Sequence, residues 1–182
     1  MVNSKYKKIA IIEVKPDSKF YIAKEMAGGL GKKIKLGDTY LASILEFFLK
    51  NNFNAPPLIL AKVAGVCNQY GCSVEFYYTS NILEIEKKDI YIVLSSMADY
   101  KNEINFLSNI KSQFPNKKIV VIGSFASVMP EMYKDYSDLV IKGDPENSIQ
   151  SILEEEETIW NDKIHISKNI EDINSLPMPD WM

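Results

Sequence analysis

KKIVVIGSFAS, Lys117 to Ser127, is the stretch that decides the fold. Ile119 to Ile122 is an unbroken apolar run, too short for a helix and rich in β-branched residues. It reads as a central parallel strand covered on both faces. Gly123 and Ser124 then leave the C-terminal edge of that strand almost bare of side chain. In open α/β sheets ligands sit in the crevice outside such edges, and a glycine there lets backbone approach a bulky ligand closely. The expectation is a large cofactor against the sheet edge.

Working outward, Lys8 to Val14 (KIAIIEV) reads as the first strand, Ser73 to Tyr78 as the second, Asp89 to Leu94 (DIYIVL) as the third and Asp138 to Lys142 as the fifth. Helical patterns lie between them. Asp38 or Thr39 caps a helix to about Asn51, with Leu41, Ile44, Leu45 and Phe48 on one face. Pro57 opens a second helix, Leu58 to Tyr70, that stops at Gly71. It is apolar nearly all round, so it has a neighbour on its outer face, either the preceding helix or another domain. Asp99 caps a third helix with Ile104, Leu107, Ile110 and Phe114 inward. Pro130 to Tyr136 is a short helix. Glu146 to Glu157 is a longer one, whose last four glutamates sit at the negative end of the helix dipole and should fray.

Alternating strands and helices predict an α/β fold: a Rossmann-like, flavodoxin-type five-stranded parallel sheet with helices on both faces. Residues 1–158 form that domain, and residues 159–182 an extended, proline-containing linker. Asp17 to Tyr40, with MAGGLGKK at its centre, is a long loop read as a mobile flap. It is neither a dinucleotide fingerprint nor a Walker loop, because the glycine spacing is wrong and Gly31-Lys32 is followed by Lys33.

The 182 residues suit one compact domain, and 46% hydrophobic with 25% charged residues is ordinary for a globular protein. A net charge of −3, with lysines spread among acids, argues against nucleic acid or an anionic membrane as partner. No apolar run approaches the roughly 20 residues that span a bilayer, and the N-terminus lacks a signal-peptide cleavage site. A cytoplasmic protein is expected. Two cysteines, Cys67 and Cys72, are too few for a disulfide framework and match no metal-ligand spacing, so two buried thiols are expected. The single histidine, His165, alternates with Ile164 and Ile166 and reads as surface-facing, away from the strand edges.

Four stretches, in order, resemble the N-terminal cobalamin-binding domain of radical S-adenosylmethionine (radical SAM) enzymes. Pro56 to Gly65, PPLILAKVAG, is similar to that family's PPLGLAYLAA. Ile119 to Glu131, IVVIGSFASVMPE, is similar to VVLGGPHASALPE, Val140 to Glu146, VIKGDPE, to VVRGEGE, and Ile173 to Trp181, INSLPMPDW, to the segment leading into the radical SAM barrel. The resemblance implies cobalamin over the C-terminal strand edges, with its nucleotide tail inserted against the sheet. The positions it carries over are Ser95, Ser96 and Met97 after the third strand, Gly123, Ser124 and Phe125 after the fourth, and Gly143, Asp144, Pro145 and Glu146 after the fifth. Those roles are chemically sensible: serine hydroxyls satisfy polar groups of the tail, Gly123 makes room for it, and a helix start at Glu146 offers amides to ligand oxygens. Gly123 and Gly143 are equally readable as ordinary strand-end turns.

The family's Gly-Gly-Pro-His becomes Ile122-Gly123-Ser124-Phe125, and Phe125 either stacks on a ring or plugs the edge. No Asp-x-His-x-x-Gly occurs, so histidine ligation of cobalt in the manner of methionine synthase is not expected. The Cys-x-x-x-Cys-x-x-Cys cluster motif does not occur in these residues either. S-adenosylmethionine and the [4Fe–4S] cluster would then belong to a C-terminal barrel, a partner in cis. The resemblance implies a module of a radical SAM enzyme, most often a methyltransferase. The alternative is a Rossmann-like regulatory or interaction scaffold without corrinoid. A receiver is disfavoured because Ser95 stands where a phosphoacceptor aspartate would, and a flavodoxin because Val14-Lys15-Pro16 offers no phosphate loop.

Overall fold

Runs of β-branched residues that cannot present a helical stripe form the central strands, which are buried on both faces. β1 (Lys8–Val14), β3 (Ile90–Leu94), β4 (Lys118–Ile122) and β5 (Leu139–Lys142) make the centre. β2 (Ser73–Thr79) lies at one edge and β6 (Ile164–Ile166) at the other. The computed structural model describes residues 4–16, 37–52 and 56–181, with the backbone alone for 48–52. Among these the strands form one parallel sheet in the order β2-β1-β3-β4-β5-β6. The direction of winding reverses between β1 and β3, the switch point where doubly wound sheets open a crevice.

The sheet has six strands rather than five. Residues read as the start of a linker supply the sixth: Ile164, His165 and Ile166 pair in register with Val140, Ile141 and Lys142. The alternation of Ile164, His165 and Ile166 shows an extended segment but not its partner, and an edge strand needs only one. His165 is accordingly half-buried and at the sheet, not away from it.

Helices cover both faces. α2 (Leu58–Gln69) and α5 (Glu146–Leu153) pack over Ile9, Ile11, Ile92, Val120 and Ile141. α3 (Tyr100–Gln113) and the one-turn α4 (Ser124–Val128) lie over Ala10, Ile12, Val93, Val121 and Val140. Alternate residues of each strand thus feed opposite cores, as a period of two requires. A fully buried isoleucine there contributes about 1.5–3 kcal/mol. α4 stands where a loop is expected, because SFASV is too short to carry a helical period. Among the described residues Pro130–Met132 closes only a 3-10 turn. α5 stops at Leu153, before its acidic run: Glu154 to Glu157 are exposed, and Glu155 takes φ +64°.

α1 (Tyr40–Asn52) starts as expected, the Thr39 hydroxyl accepting from the Ala42 amide at 3.2 Å. That apolar face is not buried among the described residues: Leu41, Ile44 and Leu45 are all exposed, and neither core contains an α1 side chain. Periodicity sets which residues share a face, not what covers it. The flap at 17–40 lies outside the described residues, except 37–40.

α2 is buried on most sides, and the reason lies at the other end of the chain. Residues 178–180 cross its outer surface. The Asp180 amide donates to the Ala61 carbonyl at 2.9 Å, and the Asn68 side chain donates to the Asp180 carboxylate. Gly65 permits this approach, because a Cβ there would strike the Met178 carbonyl. The neighbour of α2 is therefore the C-terminal segment.

Candidate functional site

The C-terminal ends of β3, β4 and β5 are tied together by the small residues that follow them. The Ser95 amide extends the β3–β4 ladder by donating to the Ile122 carbonyl at 2.8 Å. Its hydroxyl accepts from the Ala126 amide at 2.8 Å and so satisfies one free donor of the first turn of α4. The Ser127 hydroxyl donates to the Gly123 carbonyl and accepts from the Gly143 amide, both at 2.9 Å, joining β4 to β5. The three termini lie side by side, held by the chain's own hydrogen bonds.

Gly123 adopts φ +115°, ψ 174°, a region nearly closed to other residues. The space beside it is not open. A Cβ on Gly123 would lie 2.9 Å from both Leu94 Cδ1 and Ser95 Oγ, and 3.1 Å from the Ser95 carbonyl. Its bareness is spent on bringing β4 against the end of β3. Phe125 turns the same way, with its ring centroid 5.8 Å from that of Tyr100 and 6.1 Å from that of Tyr133, edge-on to the latter. It plugs the edge and joins the α3-side core.

Ser96 is also committed inward. Its amide donates to Glu103 Oε2 at 3.0 Å and its hydroxyl to Oε1 at 2.8 Å, while the Tyr133 hydroxyl donates to Oε2 at 2.6 Å. Glu103 is fully buried in the first turn of α3, at the favourable end of the helix dipole. Asp99, expected to cap this helix, precedes it but makes no side-chain cap bond. Burial, reinforced by the adjacent Glu103, pushes the Tyr133 hydroxyl far above its ordinary range, so that it stays a proton donor. This buried carboxylate lies one residue before the 104, 107, 110, 114 stripe read for α3, which gives no sign of it.

Met97, Ser124, Gly143 and Asp144 are the expected site residues that stay exposed, and they form the outer rim of the strand ends. Pro145 and Glu146 are buried. Glu146 reaches across to α2, where Lys62 Nζ lies 3.2 Å from Oε1, and its Oε2 is buried without a hydrogen-bond partner. A buried carboxylate needs such a cation, since its desolvation costs several kcal/mol.

On the side of Gly123 that faces Leu94 and Ser95 there is no room even for a methyl group. Among the described residues no group of three or more His, Cys, Asp or Glu side chains is placed to hold a metal ion, and no helix is long and apolar enough to cross a membrane. Cys67 and Cys72 are buried free thiols, both pushed above the ordinary thiol range by burial. No protein-family model matches this chain, and no curated protein matches it either.

Proposed function

We propose that this domain is a cobalamin-binding module of a radical SAM enzyme, one that carries its corrinoid over the strand ends rather than threading it between them. The observation that carries the reading is the convergence of three strand termini into one rim of exposed small or flexible residues, Met97, Ser124, Gly143 and Asp144. The sheet order supports it, since doubly wound sheets bind ligands outside their carboxyl edges. The ordered resemblance of four stretches supports it as well. In such an enzyme the corrinoid supplies methyl-transfer chemistry, and this chain's residues supply a platform that orients the ring and shields one face.

Hydroxocobalamin added to the purified protein tests the reading. A shifted corrin absorbance that survives gel filtration is the expected result. An unshifted spectrum with complete separation contradicts it.

A second reading is an interaction scaffold of the same fold. The packing of Phe125 against Tyr100 and Tyr133 favours it, because the edge is plugged without any ligand. Phe125→Ala separates the two. It opens a cavity in either case, but only a scaffold that lost its corrinoid by plugging would gain hydroxocobalamin binding from it.

A further inference from the structure

Away from that rim, a polar recess of about 130 Å³ lies between one side of α5 and the end of β6. Its walls include Asn147, Ser148, Ser151, Glu156, His165 and Lys168. Ser148 is 2% exposed, yet its hydroxyl has no hydrogen-bond partner. Buried hydroxyls are normally paired, because an unmade bond costs the full desolvation of the group. Such a hydroxyl on the wall of a polar recess calls for an occupant.

The chemistry of the walls selects it. Glu146, Asn147 and Ser148 form the first turn of α5, and no side chain caps that turn. The dipole of α5 is positive at that end and favours an anion nearby. Lys168 adds an ammonium group, His165 a ring N–H, and Ser148 and Ser151 hydroxyls that can donate. Asn147 is held in place by a bond from its Nδ2 to the Lys168 carbonyl at 3.2 Å, which also ties the post-β6 segment to α5. Glu156, exposed on the wall, is the single acceptor-only group, and it leaves donors in the majority.

We propose that this recess binds a phosphate group, either free or carried on a small phosphomonoester. The volume admits the tetrahedral group itself, and an ester's remainder projects through the open side. The site is independent of the corrinoid reading, since none of its residues belongs to the strand-end rim.

His165 is the chain's only histidine, so its ring carbon-bound protons give a single resolved NMR reporter inside the recess. Inorganic phosphate, titrated at constant ionic strength against sodium chloride, is expected to move those signals saturably, and chloride is not. Ser148→Ala removes an unpartnered hydroxyl, so the free protein should unfold at the same midpoint or slightly higher, while phosphate binding weakens about fivefold or more. Lys168→Gln, an exposed change, should weaken it by a similar factor and lower its salt dependence. Glycerol 3-phosphate distinguishes the source: tighter binding than inorganic phosphate points to an ester, and equal or weaker binding to the free ion. A non-saturating response matched by chloride overturns the proposal and leaves a water-filled recess. Equal phosphate affinity in wild type and both variants overturns it too.

Discussion

Gly65→Ala tests the idea that the C-terminal segment is a built part of the fold. In most helices this change is favourable, because alanine gains about 0.5–1 kcal/mol over glycine in a helix interior. Here the new Cβ lands on the Met178 carbonyl and comes within 3.2 Å of its carbonyl carbon. Both are backbone atoms and cannot rotate away, so residues 178–180 must lift off. That forfeits the bond from the Asp180 amide to Ala61 and the bond between Asn68 and Asp180. At about 0.5–1.5 kcal/mol each the loss is about 1–3 kcal/mol, confined to the tail, while the helix itself gains. The global unfolding midpoint should therefore move little. Hydrogen exchange separates the two: the Asp180 amide should lose protection by about five- to a hundredfold, with the β-sheet amides unchanged. Undiminished protection of Asp180 would refute the docking. A loss of protection spread evenly over the sheet would refute the claim that the effect is local.

Three further perturbations probe the strand ends and the sheet's opposite edge. Gly123→Ala combines a positive φ with contacts of 2.9 Å to Leu94 and Ser95, and should cost about 2–4 kcal/mol in urea unfolding; a cost near zero would show that the β3–β4 junction is loose. Glu103→Gln leaves one acceptor oxygen facing three donors. It should cost about 2–4 kcal/mol by the same assay, with the far-ultraviolet spectrum retained. For Asp89, burial raises the carboxyl, but the bonds from Lys117 and from the Lys7 and Lys8 amides more than offset this, so its folded value lies below the ordinary one. Its stabilisation is complete above the unfolded-chain value and fades as pH falls through the folded one. Asp89→Asn should therefore flatten the loss of stability below about pH 4, and an unchanged acid slope would count against that role.

What could be read in advance followed from local chemistry. Four-residue runs such as Ile119 to Ile122 have few ways to be buried except as central strands, and Thr39 could only begin a helix where its hydroxyl meets a free amide. The residues that escaped reading are those whose role is set by distant neighbours. Gly65 is an ordinary small helix residue until residue 178 arrives above it. Gly123 looks like room for a ligand until Leu94 and Ser95 occupy that room. Glu103 sits just outside the apolar stripe read for α3, and only Ser96 and Tyr133, from two other segments, explain its burial. Ile164 to Ile166 pairs only because β5 leaves an edge open, and Leu41, Ile44 and Leu45 share a face that neither core covers.

The strand-end rim is the account's central claim, and amide chemical-shift mapping with hydroxocobalamin tests it most directly. Perturbations concentrated at Met97, Ser124, Gly143 and Asp144, with β2 amides undisturbed, are the predicted result. An unperturbed rim, or shifts confined to the α5–β6 recess, would contradict it.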